Sequence, residues 1–201
     1  MIVLEGLLVD LVPYSARFDA LEHKWENGPA AFWGDMGDRQ FFSKDAIKYI
    51  QAERRERRGQ SSAPAIHFGI QTKEGEPIGL FVLGWQVSHC RLCMLGALIG
   101  EPDYWGGGYG TDALLLATDF AFDWLDYRKL WLFTMSLNTR VVRQMRKLGY
   151  RLEACHREAT HADGEWYDVL VYGLMRHEWL GRAAMIDRLG LKPANERTSN
   201  G

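Results

Sequence analysis

The sequence predicts an α+β fold: a mixed α/β architecture in which helices fall between the strands of one sheet. Three observations carry that expectation. Short β-branched, leucine-rich and aromatic runs recur along the chain. Segments with helical spacing and capping residues separate them instead of forming a block of their own. A bare stretch, Trp105-Gly106-Gly107-Gly108-Tyr109-Gly110, lies between a strand-like run and a strongly apolar helical one.

In chain order, 2–12 is mostly β-branched and leucine-rich and is closed by Pro13, so it reads as a strand. Ser15 is placed to cap a helix reaching about Glu26. Residues 28–42 are aromatic and glycine-rich without a period, which predicts a loop. Ser43 is placed to cap the next helix, where Ala46, Ile47, Ile50 and Arg54 share a face. That helix ends in ERRERRGQSSAP, read either as a patch for an anionic partner or as a solvated end with cations near the negative pole of the helix dipole.

Strands are expected at 65–72 and 77–87 about the turn KEGE, and at 91–99. After the glycines a helix runs from about 110 to 125, its apolar face made by Ala113, Leu114, Ala117, Phe120, Ala121 and Trp124. A strand follows at 129–136, then a short basic helix opened by Asn138 and stopped at Gly149. Strands 150–160 and 166–175 form a hairpin around HADGE, and 177–189 is read as a last helix before a frayed tail. One domain over 1–175 with a helix-and-tail extension over 176–201 is the expected organisation.

Composition narrows the partners. The chain of 201 residues has 24 basic and 26 acidic residues, a net charge of −2, which supplies no drive toward nucleic acid or an anionic membrane. Twelve per cent aromatic residues, eight of them Trp, argue against disorder. No apolar run reaches the ~18 residues that span a bilayer. The start MIVLEGLLVDLVPYS lacks a basic region and an A-x-A site, so it reads as a strand and not a signal peptide. Three cysteines make no disulfide framework. A cytoplasmic protein is expected.

A glycine loop opening a helix has a physical use. The first helical turn presents unpaired N–H groups and a partial positive charge, both favourable to phosphate. Glycine lets the backbone approach the anion closely and tolerates φ > 0. The stretch is not a nucleoside-triphosphate loop, because no Lys follows Gly110, and it fits the dinucleotide fingerprint poorly, because Ala113 stands where a third glycine would. A diphosphate seat and a plain structural turn are the two readings of the loop by itself.

Further motifs bear on that choice. Trp105, Gly108 and Gly110 occupy the three positions of the pattern Gln/Arg-x-x-Gly-x-Gly/Ala of the GCN5-related N-acetyltransferase (GNAT) superfamily, with Trp in place of Gln or Arg. DYWGGGYGTDAL resembles the form found in the branch of ribosomal-protein N-terminal and spermidine acetyltransferases. NTRVVRQMRKLGY resembles that superfamily's Asn-led helix, and GEWYDVLVYGLMRHEW, with Asp168, its closing strand.

The resemblance implies a GNAT-like central mixed sheet splayed between strands 91–99 and 129–136, and an acetyl-CoA-dependent transfer of an acetyl group to a primary amine, either a protein N-terminus or a small amine. Pantetheine would pair with the backbone of Ala97, Leu98 and Ile99. The pyrophosphate would lie on Gly106, Gly107, Gly108, Tyr109, Gly110 and Thr111. Asn138 would contact the pantetheine arm, cap its helix, or both. The superfamily's usual proton donors are missing: the Tyr position is Met145 and the branch's Ser position is Val141. An acyl-CoA-binding module without turnover is therefore the alternative, and a fold used only for assembly a third.

Glu101 and Asp103, beside the loop, are the candidate general bases, with plain solvation as the other reading. Glu22, Trp25 and Trp33 are candidates to hold the acceptor amine by charge and cation–π contact. His67 and His89 read as structural. Cys90 and Cys93 have C-x-x-C spacing, but residues three apart on a strand face opposite ways and no second pair exists, so no metal is expected. A weak stripe of Leu180, Ala184 and Leu189 leaves a homodimer through the tail helix as an option.

Overall fold

The computed structural model describes residues 3–60 and 65–194. Its elements are β1 (Leu4–Glu5), β2 (Val9–Pro13), α1 (Ala16–Glu26), α2 (Pro29–Gly34), α3 (Lys44–Gln60), β3 (Ile66–Thr72), β4 (Pro77–Val87), β5 (Leu92–Ile99), α4 (Tyr109–Asp119), β6 (Lys129–Met135), α5 (Thr139–Lys147), β7 (Arg151–Ala162), β8 (Glu165–Met175) and α6 (Arg182–Leu189). The strands form one mixed sheet in the order β1-β2-β3-β4-β5-β6-β8-β7, the mixed α/β class expected. All neighbours are antiparallel except β5 and β6.

The hairpins follow their turn chemistry. Asp163 and Gly164 close β7–β8 with φ of 50° and 87°, the left-handed pair that a tight hairpin matching strand twist requires. α4 is buried nearly all round, with Ala113, Leu115 and Ala117 fully enclosed, because it packs across the sheet in the main core. Phe68, Ile70, Phe81, Leu83, Leu130 and Leu174 supply the sheet side of that core.

Four expectations change. The first strand is broken into β1 and β2 by a turn at 6–8. There the amides of Leu8 and Val9 donate to the fully buried Asp112 carboxylate at 2.7 and 3.2 Å, and a Cβ at Gly6 would stand 2.4 Å from it. The stretch 28–42 is not all loop: Pro29 at the first helical position starts α2, held by the edge-to-face pair Phe32–Trp33. After Asp119 the helix widens into a π-turn at Phe120–Trp124, with Leu125 N donating to Phe120 O. This rotates Trp124 off the buried face, leaving it 80% exposed. The last helix is interrupted: a 3₁₀ turn at Arg176–Glu178 precedes Gly181, and only then does α6 begin.

Met185 of α6 is buried, Ile186, Leu189 and Leu191 pack on the main core, and Trp179 Nε1 donates to Asp119 at 2.9 Å. Arg182 reaches Asp112 at 3.4 Å. Of the stripe Leu180, Ala184 and Leu189, Leu189 packs on the main core, whereas Leu180 and Ala184 are exposed.

Capping is also mixed. Ser43 Oγ accepts from Ala46 N at 3.1 Å, whereas Ser15 makes no side-chain cap. Two arginines of the ERRERR run tie α3 to α1: Arg54 to Glu22 and Arg55 to Asp19. Ile2, the 61–64 linker, the tail from 195, and the side chains of Arg57 and Arg58 lie outside what is described.

Candidate active site

β5 and β6 part company after three residues. Their parallel pairing runs only from Leu92↔Lys129 to Met94↔Trp131. β4 holds β5 out to Gly79↔Ile99, and β8 holds β6 out to Met135↔Val169. Each strand follows its outer partner, so the sheet splits into a V-shaped cleft of about 680 Å³.

The cleft edge of β5 is exposed backbone. Gly100 N donates to Ile78 O, so the alternation of a strand turns the peptide groups of Ile99 and Ala97 toward the open side. Leu98 faces β4 with its backbone, and its side chain instead approaches Gly34 of α2. Of the three residues expected to pair with pantetheine, the geometry offers Ala97 and Ile99. The Ile99 carbonyl already accepts from Trp105 Nε1 at 2.8 Å.

The glycine loop forms one wall. Gly106 and Gly108 take φ of 79° and 86°, where a side chain is strained, and Gly108 is the N-cap of α4. The amides that follow are the unpaired donors of a helix start. Gly106, Gly108, Gly110 and Thr111 line the cleft, whereas Gly107 and Tyr109 do not; Tyr109 packs edge-to-face on Tyr104 at 4.9 Å. Thr111 Oγ1 accepts from Gln144 Nε2 at 3.0 Å, joining this wall to α5.

α5 is the opposite wall. Asn138 is buried and lines the cleft, and its Oδ1 caps the helix by accepting from Val141 N at 3.3 Å. Met145 and Val141, the positions where the resemblance expects a proton donor, both line the cleft. So do Arg140, Arg143 and Lys147, which residue-by-residue motif reading passed over; their i, i+3, i+7 spacing in TRVVRQMRK was the available signal. Arg140 stacks over Trp105 with its guanidinium carbon 4.8 Å from the ring centroid. Among the described residues lining the cleft there is no carboxylate, imidazole or thiol.

The candidate bases are placed elsewhere. Glu101 accepts from Lys24 Nζ at 2.7 and 2.6 Å and from Trp25 Nε1 at 3.0 Å. Partial burial pushes its carboxyl up, but the bonds from Lys24 and Trp25 and the Lys24 charge outweigh it and hold the group below its ordinary range. Asp103 lies in the exposed 3₁₀ turn Pro102–Tyr104. Neither lines the cleft.

The acceptor candidates divide. Glu22 is buried, bonded by Gln51 at 2.7 Å and Arg54 at 2.5 Å, and faces α3. Trp25 is buried against Gly100, where a Cβ would lie 2.3 Å from its ring. Trp33 does line the cleft, with Gly34 and Met36. This segment straps the open end: Thr160 Oγ1 donates to Met36 O, and Arg39 pairs with Asp163 at 2.9 Å on the β7–β8 turn.

Tyr150 is core, its hydroxyl 3.4 Å from Thr118, and burial raises it well above the ordinary phenol range. His67 is on β3 beside Tyr14. Cys90 sits in a 3₁₀ turn, while Cys93 is buried in β5 with its thiol pushed up to about 12 by burial. Among the described residues no three potential metal ligands gather, and no helix is long and apolar enough to cross a membrane.

Comparison with known proteins agrees with this geometry. The family model "Acetyltransferase (GNAT) domain" matches residues 10–151. Spermidine N(1)-acetyltransferase of Escherichia coli K12 is 28% identical over 120 residues, covering 60% of this chain and 64% of that protein. The chain thus matches slightly less than two thirds of that relative's length. A prophage-derived uncharacterized N-acetyltransferase of Bacillus subtilis is 32% identical over 79 residues, 39% of this chain and 44% of that protein. Spermidine N-acetyltransferase from Vibrio cholerae, solved with CoA and spermine, superposes with a TM-score of 0.74 at 17% identity, covering 86% of this chain and 98% of that one. A putative acetyltransferase from T. thermophilus superposes at 0.73 with 19% identity, covering 93% and 96%. With most of its length matched by that model, and with the split sheet and glycine-led helix in place, the chain belongs to the GNAT acetyltransferase family.

Proposed function

We propose that this protein is an acetyl-CoA-dependent N-acetyltransferase acting on a small primary amine. The observation that carries the reading is the cleft itself: helix-start amides and three cations along its walls, a free strand edge within, and no carboxylate among the described lining residues to repel a polyanion.

Acetyl-CoA supplies an activated thioester. The amides following Gly108 hold the diphosphate, Ala97 and the Ile99 amide bond the pantetheine as an added strand would, and Asn138 braces the wall opposite. The amine arrives neutral, since no carboxylate or imidazole among the described residues lines the cleft to take its proton. Its nitrogen bonds to the acetyl carbon as the carbon–sulfur bond breaks, the ammonium proton leaves to water, and the thiolate departs. A thiol of pKa ~8.5 leaves acceptably without a donor. Glu101 then serves to anchor α1 to the end of β5 and not as a base. Glu22 ties α1 to α3, Trp25 packs on Gly100 at the end of β5, and Trp33 and Met36 shape the acceptor end.

The names of the Escherichia coli and Vibrio cholerae relatives favour a small polyamine-like acceptor over a protein N-terminus. The second reading, a CoA-binding module without turnover, draws support from Met145 and Val141. Thiol release from acetyl-CoA with a panel of diamines, polyamines and N-terminal peptides separates the two. Turnover with any amine supports the enzyme; saturable acetyl-CoA binding without release across the panel leaves the binding module.

A further inference from the structure

We propose that Thr134 is a catalytic residue whose hydroxyl donates a hydrogen bond to the thioester sulfur and holds the thiolate as it departs. The inference rests on the acetyl-CoA reading above and adds to it a group that touches the reacting atoms.

A buried hydroxyl costs free energy unless it is bonded. The two other buried threonines obey that rule. Thr72 Oγ1 accepts from the amides of Glu74 and Glu76, each at 3.3 Å, and Thr118 Oγ1 lies 3.4 Å from the Tyr150 hydroxyl. Thr134 is as deeply placed, only 5% exposed, yet its hydroxyl bonds none of the described residues and is not sealed in the packing. It opens on the cleft. Among the buried polar residues described, only Thr134 and Asn138 line the cleft, and Asn138 already spends its Oδ1 on capping α5. Thr134 therefore keeps a donor for whatever fills the gap.

Strand register sets its place. The last β5–β6 pair is Met94↔Trp131. Three residues further along each of these parallel strands stand Ala97 and Thr134, so the two face each other across the widening gap. Alternation puts Thr134 with Leu130 and Leu132 on the side of the sheet that packs in the main core with α4 and with Met145 of α5. A pantetheine arm that enters from the glycine loop and pairs along β5 from Ile99 to Ala97 brings its sulfur opposite this hydroxyl. Met145 lines the same cleft and offers no donor.

In the transfer, the amine lone pair forms the bond to the acetyl carbon and the carbon–sulfur pair passes to sulfur. The threonine keeps its own proton. The ammonium proton leaves to water, and the thiolate is protonated from water after release. A hydrogen bond to sulfur strengthens as negative charge builds there, so it favours the transition state over the bound thioester.

Thr134→Val removes the hydroxyl and keeps the shape, and Thr134→Ser restores a hydroxyl. With an amine that turns over, kcat should fall roughly 10-fold in the valine variant, KM for acetyl-CoA should barely change, and serine should recover most of the rate. Ultraviolet titration of the thiol of bound CoA reads the same bond without turnover. The thiolate should form about one pH unit higher on the valine variant than on wild type or the serine variant. Should the valine variant fail to fold, Thr134→Ala carries the same comparison. A bound thiol that titrates alike on wild type and on the variant lacking the hydroxyl would overturn the role, as would a serine variant as slow as the valine one. CoA binding by the wild type without turnover would remove the enzyme reading, while the titration still tests the bond to sulfur. No CoA binding by the wild type would overturn both.

Discussion

Arg140 of α5 lies face-on to Trp105 of the glycine loop, 4.8 Å from its ring, while the Trp105 indole N–H is bonded to the carbonyl of Ile99. One side chain therefore joins the end of β5, the glycine loop and α5. Trp105→Phe should keep most of the stack and lose the bond to Ile99; Trp105→Ala should lose both. CoA affinity by calorimetry is expected to fall ~3-fold for Phe and ~10-fold or more for Ala, since each contact contributes about 1 kcal/mol. An alanine variant with wild-type affinity would show that the loop holds its shape without this clamp.

Asp112 is the carboxylate on which the N-terminal turn, α4 and α6 converge, through the Leu8 and Val9 amides and Arg182. Asp112→Ala strands two buried amides and a partly buried guanidinium. The expected loss is about 3–5 kcal/mol, seen by calorimetry or dichroism as a melting point lower by roughly 10 °C. Because Asp112 sits in the first turn of α4, CoA affinity should fall as well.

Glu26 carries a pH signature of stability. Burial first, then the neighbouring charges of Asp35 and Glu22, raise its carboxyl to about 7, against an opposing pull from Arg54. The folded protein then holds this proton where the unfolded chain has lost it, so stability falls as pH rises from about 4.5 to about 7 and levels off above. Glu26→Gln should remove that slope and raise stability at pH 8 by on the order of 1 kcal/mol, after solvent screening is allowed for. Thermal melts from pH 5 to 8 would show it, and parallel wild-type and variant curves would contradict it.

With no carboxylate, imidazole or thiol among the described residues lining the cleft, the acceptor's own ionisation should set the pH dependence of kcat/KM. The logarithm of kcat/KM should rise with unit slope and bend at the amine's pKa. Two acceptors whose amines differ by about two pKa units should give profiles displaced by the same amount. A common inflection for both would place a base on the protein after all.

Much of this was legible in the residues. The strands at 66–72, 77–87, 92–99 and 129–135 stand within a residue or two of where alternation, turn residues and β-branched content put them. The glycine loop before an apolar helix, and the helix opened by Asn138 and ended at Gly149, are local signals of capping and backbone freedom. Local chemistry writes them, so local chemistry reads them. The three cations of α5 were equally present as a helical spacing, but their meaning depends on what stands opposite.

The roles of the acids were not legible. Glu101 and Glu22 look like free carboxylates in the chain, yet Lys24 with Trp25, and Arg54 with Gln51, claim them across 77 and 76, and 32 and 29, residues respectively. The first strand reads as continuous until Asp112, 104 residues from Leu8, takes its amides and bends it. The sequence alone determined the family, the glycine loop before an apolar helix, and the strands from 66 to 135. The splay between 91–99 and 129–136 was implied by the resemblance; only the tertiary structure decided that the pairing stops at Met94↔Trp131, and which charges are paired across the chain. Capping and periodicity act within a few residues, whereas ion pairing and strand partnership are settled between segments that the chain brings together only when it folds.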